Sequence, residues 1–138
     1  MNKTENYAQK YKGFYLVDTD GFSVTYGKFF NPATKERFEK RIWDNDDWRV
    51  ENEPEVQALR ALPHATEAVM KAYYRHIGKI QVGDLVEVYK GRKIPKGYRG
   101  EVVKIWTWYD QYHRPKTTYV NFADGQKTSI TNCRLVED

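Results

Sequence analysis

The chain has a single cysteine, Cys133, among its 138 residues. One cysteine cannot form an internal disulfide or a cysteine-based zinc site, which fits a reducing compartment. No apolar run reaches the length of a membrane span, and the polar first residues lack the apolar region of a secretory signal. These absences predict a cytosolic protein that does not contact a membrane.

The sequence also lacks the motifs of common catalytic and cofactor sites. It contains no P-loop, no GxGxxG dinucleotide pattern, no HExxH and no GxSxG. A nucleophilic pair of Cys133 with His113 is left open, although a cysteine near a strand end is more often a small core residue. The acidic residues 44–55 lack the spacing and the central glycine of an EF-hand. We therefore expect no enzyme activity and no bound metal or cofactor.

Positive charge is unevenly distributed along the chain. Residues 1–78 hold twelve Lys or Arg and twelve Asp or Glu, whereas residues 79–138 hold eleven and seven. The net charge of +4 therefore lies in the second part, which favours an anionic partner there. A solvated basic loop is the simpler alternative explanation.

Residues 1–78 show strand-like patterns followed by helix-like patterns. The Asp20–Gly21 turn between apolar runs predicts a β-hairpin, and residues 35–43 favour a third strand over a helix. A helix start with Asn52 as its cap and the helical apolar spacing from Ala65 to Ile77 predict two helices. The polar N-terminus is predicted to be frayed.

A basic loop separates two predicted strands in the second part. Residues 85–89 and 101–105 are rich in Val and alternate in polarity, which predicts strands. The loop Lys90–Arg99 between them has no acidic residue and two glycines, Gly91 and Gly97, which suit special backbone angles. Its five basic residues are Lys90, Arg92, Lys93, Lys96 and Arg99.

This stretch resembles the KOW motif of NusG-type transcription elongation factors and of a large-subunit ribosomal protein. A Gly-Asp turn, alternating apolar residues, a basic loop and a Gly-x-Val strand carry the resemblance: Gly83, Asp84, Val86, Val88, Gly91, Arg92, Lys93, Lys96, Gly97, Gly100, Val102, Val103 and Ile105. The family loop is usually shorter, so Ile94 and Pro95 look like an insertion. The resemblance implies a small SH3-like barrel, and such barrels often contact RNA or proteins.

We therefore predict an α+β fold with two domains. Residues 1–78 should form an antiparallel hairpin or meander followed by two helices. Residues 79–138 should form a five-stranded SH3-like barrel of KOW type, from about residue 80 to residue 136. The predicted core consists of Leu16, Val24, Leu59, Val69, Ile77, Val86, Val88, Val102, Ile105, Val120, Phe122, Ile130 and Leu135.

The predicted function is non-catalytic binding of nucleic acid, RNA or DNA, by one basic and aromatic face of the barrel. Cations would contact phosphates and flat rings would stack on bases. The predicted contact residues are Lys90, Arg92, Lys93, Lys96, Arg99, Lys104, Trp108, Tyr109, Tyr112 and His113, with Trp106 as an alternative to Trp108. The alternative is a protein-interaction module, such as an adaptor or a phage or mobile-element inhibitor of a host protein, because Tyr, Trp and Arg are typical interface anchors.

Overall fold

Each of the two units into which the chain divides, Met1–His76 and Ile77–Asp138, is built around one antiparallel sheet. The computed structural model describes residues 3–136. The first part of the chain contains, in order, α1 (Lys3–Lys10), β1 (Tyr15–Asp20), β2 (Val24–Phe30), β3 (Arg37–Asp44), a 3₁₀ turn (Trp48–Asn52), α2 (Pro54–Arg60) and α3 (Glu67–Ile77). The second contains β4 (Leu85–Val88), β5 (Arg99–Tyr109), β6 (Pro115–Phe122), β7 (Lys127–Ser129), a 3₁₀ turn (Ile130–Asn132) and β8 (Cys133–Leu135). Within the described residues, no helix is long and apolar enough to cross a membrane.

The sheet of the first unit, β1–β2–β3, is covered on both faces. Successive residues of a strand point to opposite faces, so the neighbouring Phe29 and Phe30 enter two different clusters. The cluster of Phe29 includes Tyr11, Phe14 and Leu59, and that of Phe30 includes Val17, Val69 and Tyr73. Each buried phenylalanine stabilises the unit by about 1.5–3 kcal/mol relative to an exposed one.

The prediction of a frayed N-terminus is wrong for the described residues, because α1 is a helix that contributes to the core. Tyr7 of α1 packs against the core, and Tyr11 directly follows the helix, where its N–H donates to the Tyr7 carbonyl at 3.0 Å. Tyr11 is buried, and its ring contacts Phe14 and Phe38 at centroid distances of 6.3 and 5.1 Å. Residues 3–136 thus contain three α-helices where two were predicted.

The start of α2 also differs from its prediction. Its N-cap is Glu53, followed by Pro54 in the first turn, where the missing proline N–H costs nothing. Asn52 instead ends the preceding 3₁₀ turn, and its side-chain amide donates to the Trp48 carbonyl at 3.4 Å.

A buried tyrosine connects α1 to the start of α2. The Tyr11 hydroxyl donates a short hydrogen bond to Glu55, whose carboxylate lies 3.2 Å from Lys40 Nζ. Burial, together with the Glu55 carboxylate, raises the pKa of Tyr11 to about 12. The hydrogen bond from Tyr11, followed by that from Lys40, lowers the pKa of Glu55.

We expect Tyr11→Phe to lower the free energy of unfolding by about 1–2 kcal/mol at pH 7, because it removes a hydrogen bond to a charged group. The pKa of Glu55 is lowered on folding, so this contribution is lost as pH falls below 4.5. The pKa of Tyr11 is raised, so the contribution is also lost as pH rises from 10.0 towards 12. Urea unfolding of wild type and variant across this pH range measures the difference. Tyr7→Phe is the control, and an equal loss in both variants, constant with pH, would contradict the assignment.

The sheet of the second unit is open, with strand order β7–β6–β5–β4–β8, and every neighbouring pair is antiparallel. The predicted closed barrel is therefore wrong. β7 and β8 lie at opposite edges, and no ladder joins them within the described residues. The cause is local: Ile130, predicted to be the centre of a strand, begins a 3₁₀ turn that Ser129 caps through the Thr131 N–H. This turn uses the residues that a closing strand would need.

Most of the predicted core is inside. The buried members are Leu59, Val69, Val86, Val88, Val102, Val120 and Phe122. Those that are partly buried and pack against a core cluster are Leu16, Ile105, Ile130 and Leu135. Val24 is half-buried, and the prediction for Ile77 is wrong because its side chain is 37% exposed at the end of α3.

Candidate nucleic-acid interface

A bulge in β5 decides which side chains reach solvent. Val102 lies opposite Phe122, and Ile105 lies opposite Val120. Both pairs pack in the core, although they are three residues apart on β5 and two apart on β6. Val103 is the extra residue, and its side chain is 47% exposed.

Beyond the bulge, two tryptophans of β5 lie on the face opposite the core. Trp106 follows the inward Ile105, and Trp108 is two residues further on the same face. The Trp106 ring stacks on the opposite Tyr119 with centroids 4.6 Å apart and an interplanar angle of 25°. Its Nε1 donates to Asn121 Oδ1 at 2.8 Å. These contacts fix the Trp106 indole on the sheet surface.

Two lysines border the stacked rings. Lys104 and Lys127 lie opposite Asn121, one on each neighbouring strand, so both are on the face of Trp106. The Nζ of Lys127 is 5.5 Å from the centroid of the Trp106 ring. We call this surface the outer face; its members are Lys104, Trp106, Trp108, Tyr119, Asn121 and Lys127.

Three members of the outer face, Tyr119, Asn121 and Lys127, were not among the predicted site residues. Tyr119 and Asn121 alternate with the core residues Val120 and Phe122, a period-two signal that the sequence shows, whereas Lys127 lies on the next strand, β7. Their position beside Trp106 depends on the register of β6 against β5, which the sequence pattern does not give.

The far end of the β5–β6 hairpin is a two-stranded arm, residues 107–118. β4 pairs with β5 only at Arg99–Glu101, and β7 pairs with β6 only at Tyr119–Asn121. Within the described residues, no third strand pairs with the arm. Its rings are open to solvent, since Trp108, Tyr109 and Tyr112 are 53%, 54% and 66% exposed.

One carboxylate organises the turn at the tip of the arm. Asp110 Oδ1 accepts hydrogen bonds from the backbone N–H groups of Tyr112 at 2.8 Å and Arg114 at 3.0 Å. Its Oδ2 lies 3.5 Å from Arg114 Nε and 3.6 Å from Lys116 Nζ. The Arg114 guanidinium is 5.0 Å from the centroid of the Tyr112 ring, and His113 has a left-handed φ of 61°. Asp110 therefore fixes the backbone of the turn and pairs its cations, and Arg114 lies against the Tyr112 ring.

The basic loop is fixed by an apolar residue. Ile94 is 4% exposed and belongs to the core cluster, so the apparent insertion is the anchor of the loop. Gly91 has a φ of 106°, and a Cβ there would lie 2.9 Å from the Asn132 amide nitrogen. Four basic side chains of this loop are exposed and in no ion pair within the described residues: Lys90, Arg92, Lys93 and Lys96.

The fifth basic residue of the loop already has an anionic partner. Arg99 Nε lies 3.3 Å from Glu87 Oε1, and Arg134 Nε lies 2.9 Å from Glu87 Oε2. The three residues face each other across β5, β4 and β8. The hydrogen bonds from Arg134 and then Arg99 lower the pKa of Glu87.

The structure does not bring the predicted site residues to one place. The basic loop ends where β5 begins, at Arg99, and the turn residues follow its end, at Tyr109. The strand has eleven residues, so the two groups are roughly 30 Å apart along it. Trp108, Tyr109, Tyr112 and His113 lie together on the arm, and Lys104 lies between the two groups.

The pair of Cys133 with His113 is not formed within the described residues. Cys133 is 8% exposed in the core cluster, and its Sγ donates to the Ser129 carbonyl at 3.8 Å. Burial raises the pKa of the thiol to about 11, so it is protonated at neutral pH. No group of three or more metal-ligating side chains is found in the part of the chain that the structure describes.

The residues of the KOW resemblance lie on the Gly83–Asp84 turn before β4, on β4, on the basic loop and on the first part of β5. Membership of the chain in the KOW family stays a prediction from the sequence. Comparison of the chain with protein-family models, with curated proteins and with solved structures finds no match.

Proposed function

We propose that the second unit binds nucleic acid and performs no catalysis on it. The observation that carries the proposal is the combination of exposed cations without acidic partners and exposed aromatic rings on the same sheet. The lone cysteine favours the reducing cytosol as the compartment. The resemblance of residues 83–105 to the KOW motif also supports the proposal, and it shares Arg92, Lys93 and Lys96 with the exposed cations.

The phosphate contacts are assigned to six cations. Within the described residues these are exposed and in no ion pair: Lys90, Arg92, Lys93, Lys96, Lys104 and Lys127. Arg99, Arg114 and Lys116 contribute less, since Glu87 and Asp110 already neutralise them. Phosphates attract unpaired surface cations, because binding releases the counterions of the nucleic acid.

A protein-interaction function is the second candidate, and exposed rings of the first unit favour it. Phe22 is 98% exposed in the β1–β2 turn, and Trp48 is 69% exposed in the first 3₁₀ turn. Large rings of this kind anchor protein interfaces. Asp47, the residue before Trp48, is paired with Arg49 at 2.9 Å, so part of the acidic charge beside this ring is neutralised.

The salt dependence of binding tests the proposed function. If all six cations contact phosphates, the log-log slope of affinity against salt should be about −4 for a single-stranded oligonucleotide and about −5 for a duplex. Fluorescence anisotropy of labelled oligonucleotides at several salt concentrations measures both slopes. Poly-glutamate of similar net charge is the control polyanion. An affinity for the oligonucleotides no higher than for poly-glutamate, or a slope near zero, would exclude the proposal.

A further inference from the structure

We infer that the two-stranded arm, residues 107–118, selects single-stranded nucleic acid by stacking unpaired bases on its exposed rings. This inference rests on the proposed function and names the form of nucleic acid that the surface takes. The arm carries three large rings that are more than half exposed, Trp108, Tyr109 and Tyr112. Aromatic rings bind single strands of any sequence, because every base has a flat face.

The spacing of the rings favours unstacked bases. Trp106 and Trp108 are two residues apart on one strand face, which places their backbone positions about 7 Å apart. Bases in a duplex are stacked about 3.4 Å apart along each strand. Both faces of a base inside a duplex are covered by its neighbours, so a base that stacks on the Trp108 ring must have left the duplex stack. A strand that also reaches the Trp106–Tyr119 stack must span this distance of about 7 Å with a second unpaired base. A duplex cannot do this without being opened.

The arm is also held ready for binding. The Thr107 and Thr118 hydroxyls are hydrogen-bonded across the two strands at 2.9 Å, next to Trp108. Asp110 fixes the turn, and the Arg114 guanidinium covers the Tyr112 ring at 5.0 Å. Rings on a fixed support lose less conformational entropy on binding than rings on a mobile loop.

Charge on the arm is too small to explain binding by itself. Its ionic groups are Asp110, Arg114 and Lys116, and the aspartate lies within 4 Å of both cations. The arm should therefore contribute through stacking, with little dependence on salt, while the basic loop and the two lysines of the outer face contribute the salt-dependent part. The two contributions can be separated by choosing the ligand.

Three labelled ligands of equal length separate them: a single-stranded oligonucleotide, its abasic counterpart, and the matching duplex. The abasic strand keeps the phosphates and lacks the bases. Trp108→Leu removes the flat ring and keeps an apolar side chain, and Trp108→Phe keeps a flat ring. Trp48→Ala, in the first unit, is the matched control for loss of an exposed tryptophan. Anisotropy titrations give the affinity of each protein for each ligand.

We expect wild type to bind the single strand more tightly than the abasic strand and the duplex. Trp108→Leu should weaken single-strand binding about 5- to 150-fold and leave the other two ligands within about twofold of wild type. Trp108→Phe should restore most of the loss, and Trp48→Ala should change nothing. If wild type binds none of the three ligands, the proposed function itself is wrong. Equal wild-type affinities for the single strand and the abasic strand would overturn this inference alone. It would also be overturned if Trp108→Leu lowered the affinity for all three ligands equally, or lowered the affinity for the duplex most.

Discussion

Replacing Val102 with Asp is expected to unfold the second unit. Val102 is fully buried opposite Phe122, and its backbone bonds hold the Gly83–Asp84 turn: its N–H donates to the Asp84 carbonyl at 3.0 Å and its carbonyl accepts from Gly83 N–H at 2.8 Å. The side chains that the structure describes in this core cluster are uncharged, so none of them can form an ion pair with a new carboxylate. The expected loss is about 4 kcal/mol or more, which is close to the whole stability of a small domain.

Val103→Asp is the matched control for this substitution. It adds the same charge one residue later, at the bulge, where the side chain is 47% exposed. We expect its urea midpoint to stay near that of wild type, while Val102→Asp loses the cooperative transition of the second unit. Circular dichroism and the fluorescence of Trp106 and Trp108 follow the unfolding. Equal midpoints for the two variants would show that Val102 does not face the core.

Reversing three charges of the basic loop is expected to abolish nucleic-acid binding at moderate salt. Arg92, Lys93 and Lys96 are exposed and in no ion pair within the described residues. At 0.1 M salt each phosphate contact contributes a factor of about 5 to 8 in affinity, so losing three costs roughly 100- to 500-fold. Replacement by Glu adds repulsion to this loss. The log-log slope should fall in magnitude by about 2 to 3, in parallel for single strands and duplexes.

A charge-matched control lies in the first unit. Lys12, Arg37 and Lys71 are exposed, and their joint replacement by Glu changes the net charge from +4 to −2, as the loop variant does. We expect this control to lower the affinity for nucleic acid far less, since it changes only the overall electrostatic field of the protein. If both triple variants weaken binding equally, the attraction comes from total charge and not from the loop. Unchanged binding in the loop variant would remove the loop from the interface.

Local patterns predicted many of the elements, because a local pattern needs no knowledge of distant partners. The strands around Val88 and Val102 follow from alternation, and α3 follows from helical spacing. By contrast, α1 looks polar along the sequence, and its burial depends on Tyr11 meeting Phe38, a residue much later in the chain. Composition alone therefore underestimates how much of such a helix is buried.

The site was less predictable than the fold, since charge pairing and strand register are long-range properties. Arg99 looked like a free cation in a basic loop, but its partner Glu87 is on the neighbouring strand. Ile94 looked like an insertion, but it reaches the core. The loop and the arm looked close because few residues separate them, whereas an extended strand places them at opposite ends.

The bulge at Val103 shifts the alternation of inward and outward side chains along β5 by one residue. Up to Val102 the even-numbered positions of β5 face the core, and from Lys104 onward they face solvent. If the same eleven residues alternated without the bulge, both tryptophans would face the core, although the hydrophobicity of the strand would be unchanged. Deleting Val103 together with its bulge would instead leave Ile105 inward and both tryptophans on the outer face. The chemistry of the outer face therefore depends on where the bulge lies in β5 as much as on the composition of the strand. A strand of the same composition with its bulge beyond Trp108 would turn both rings towards the core.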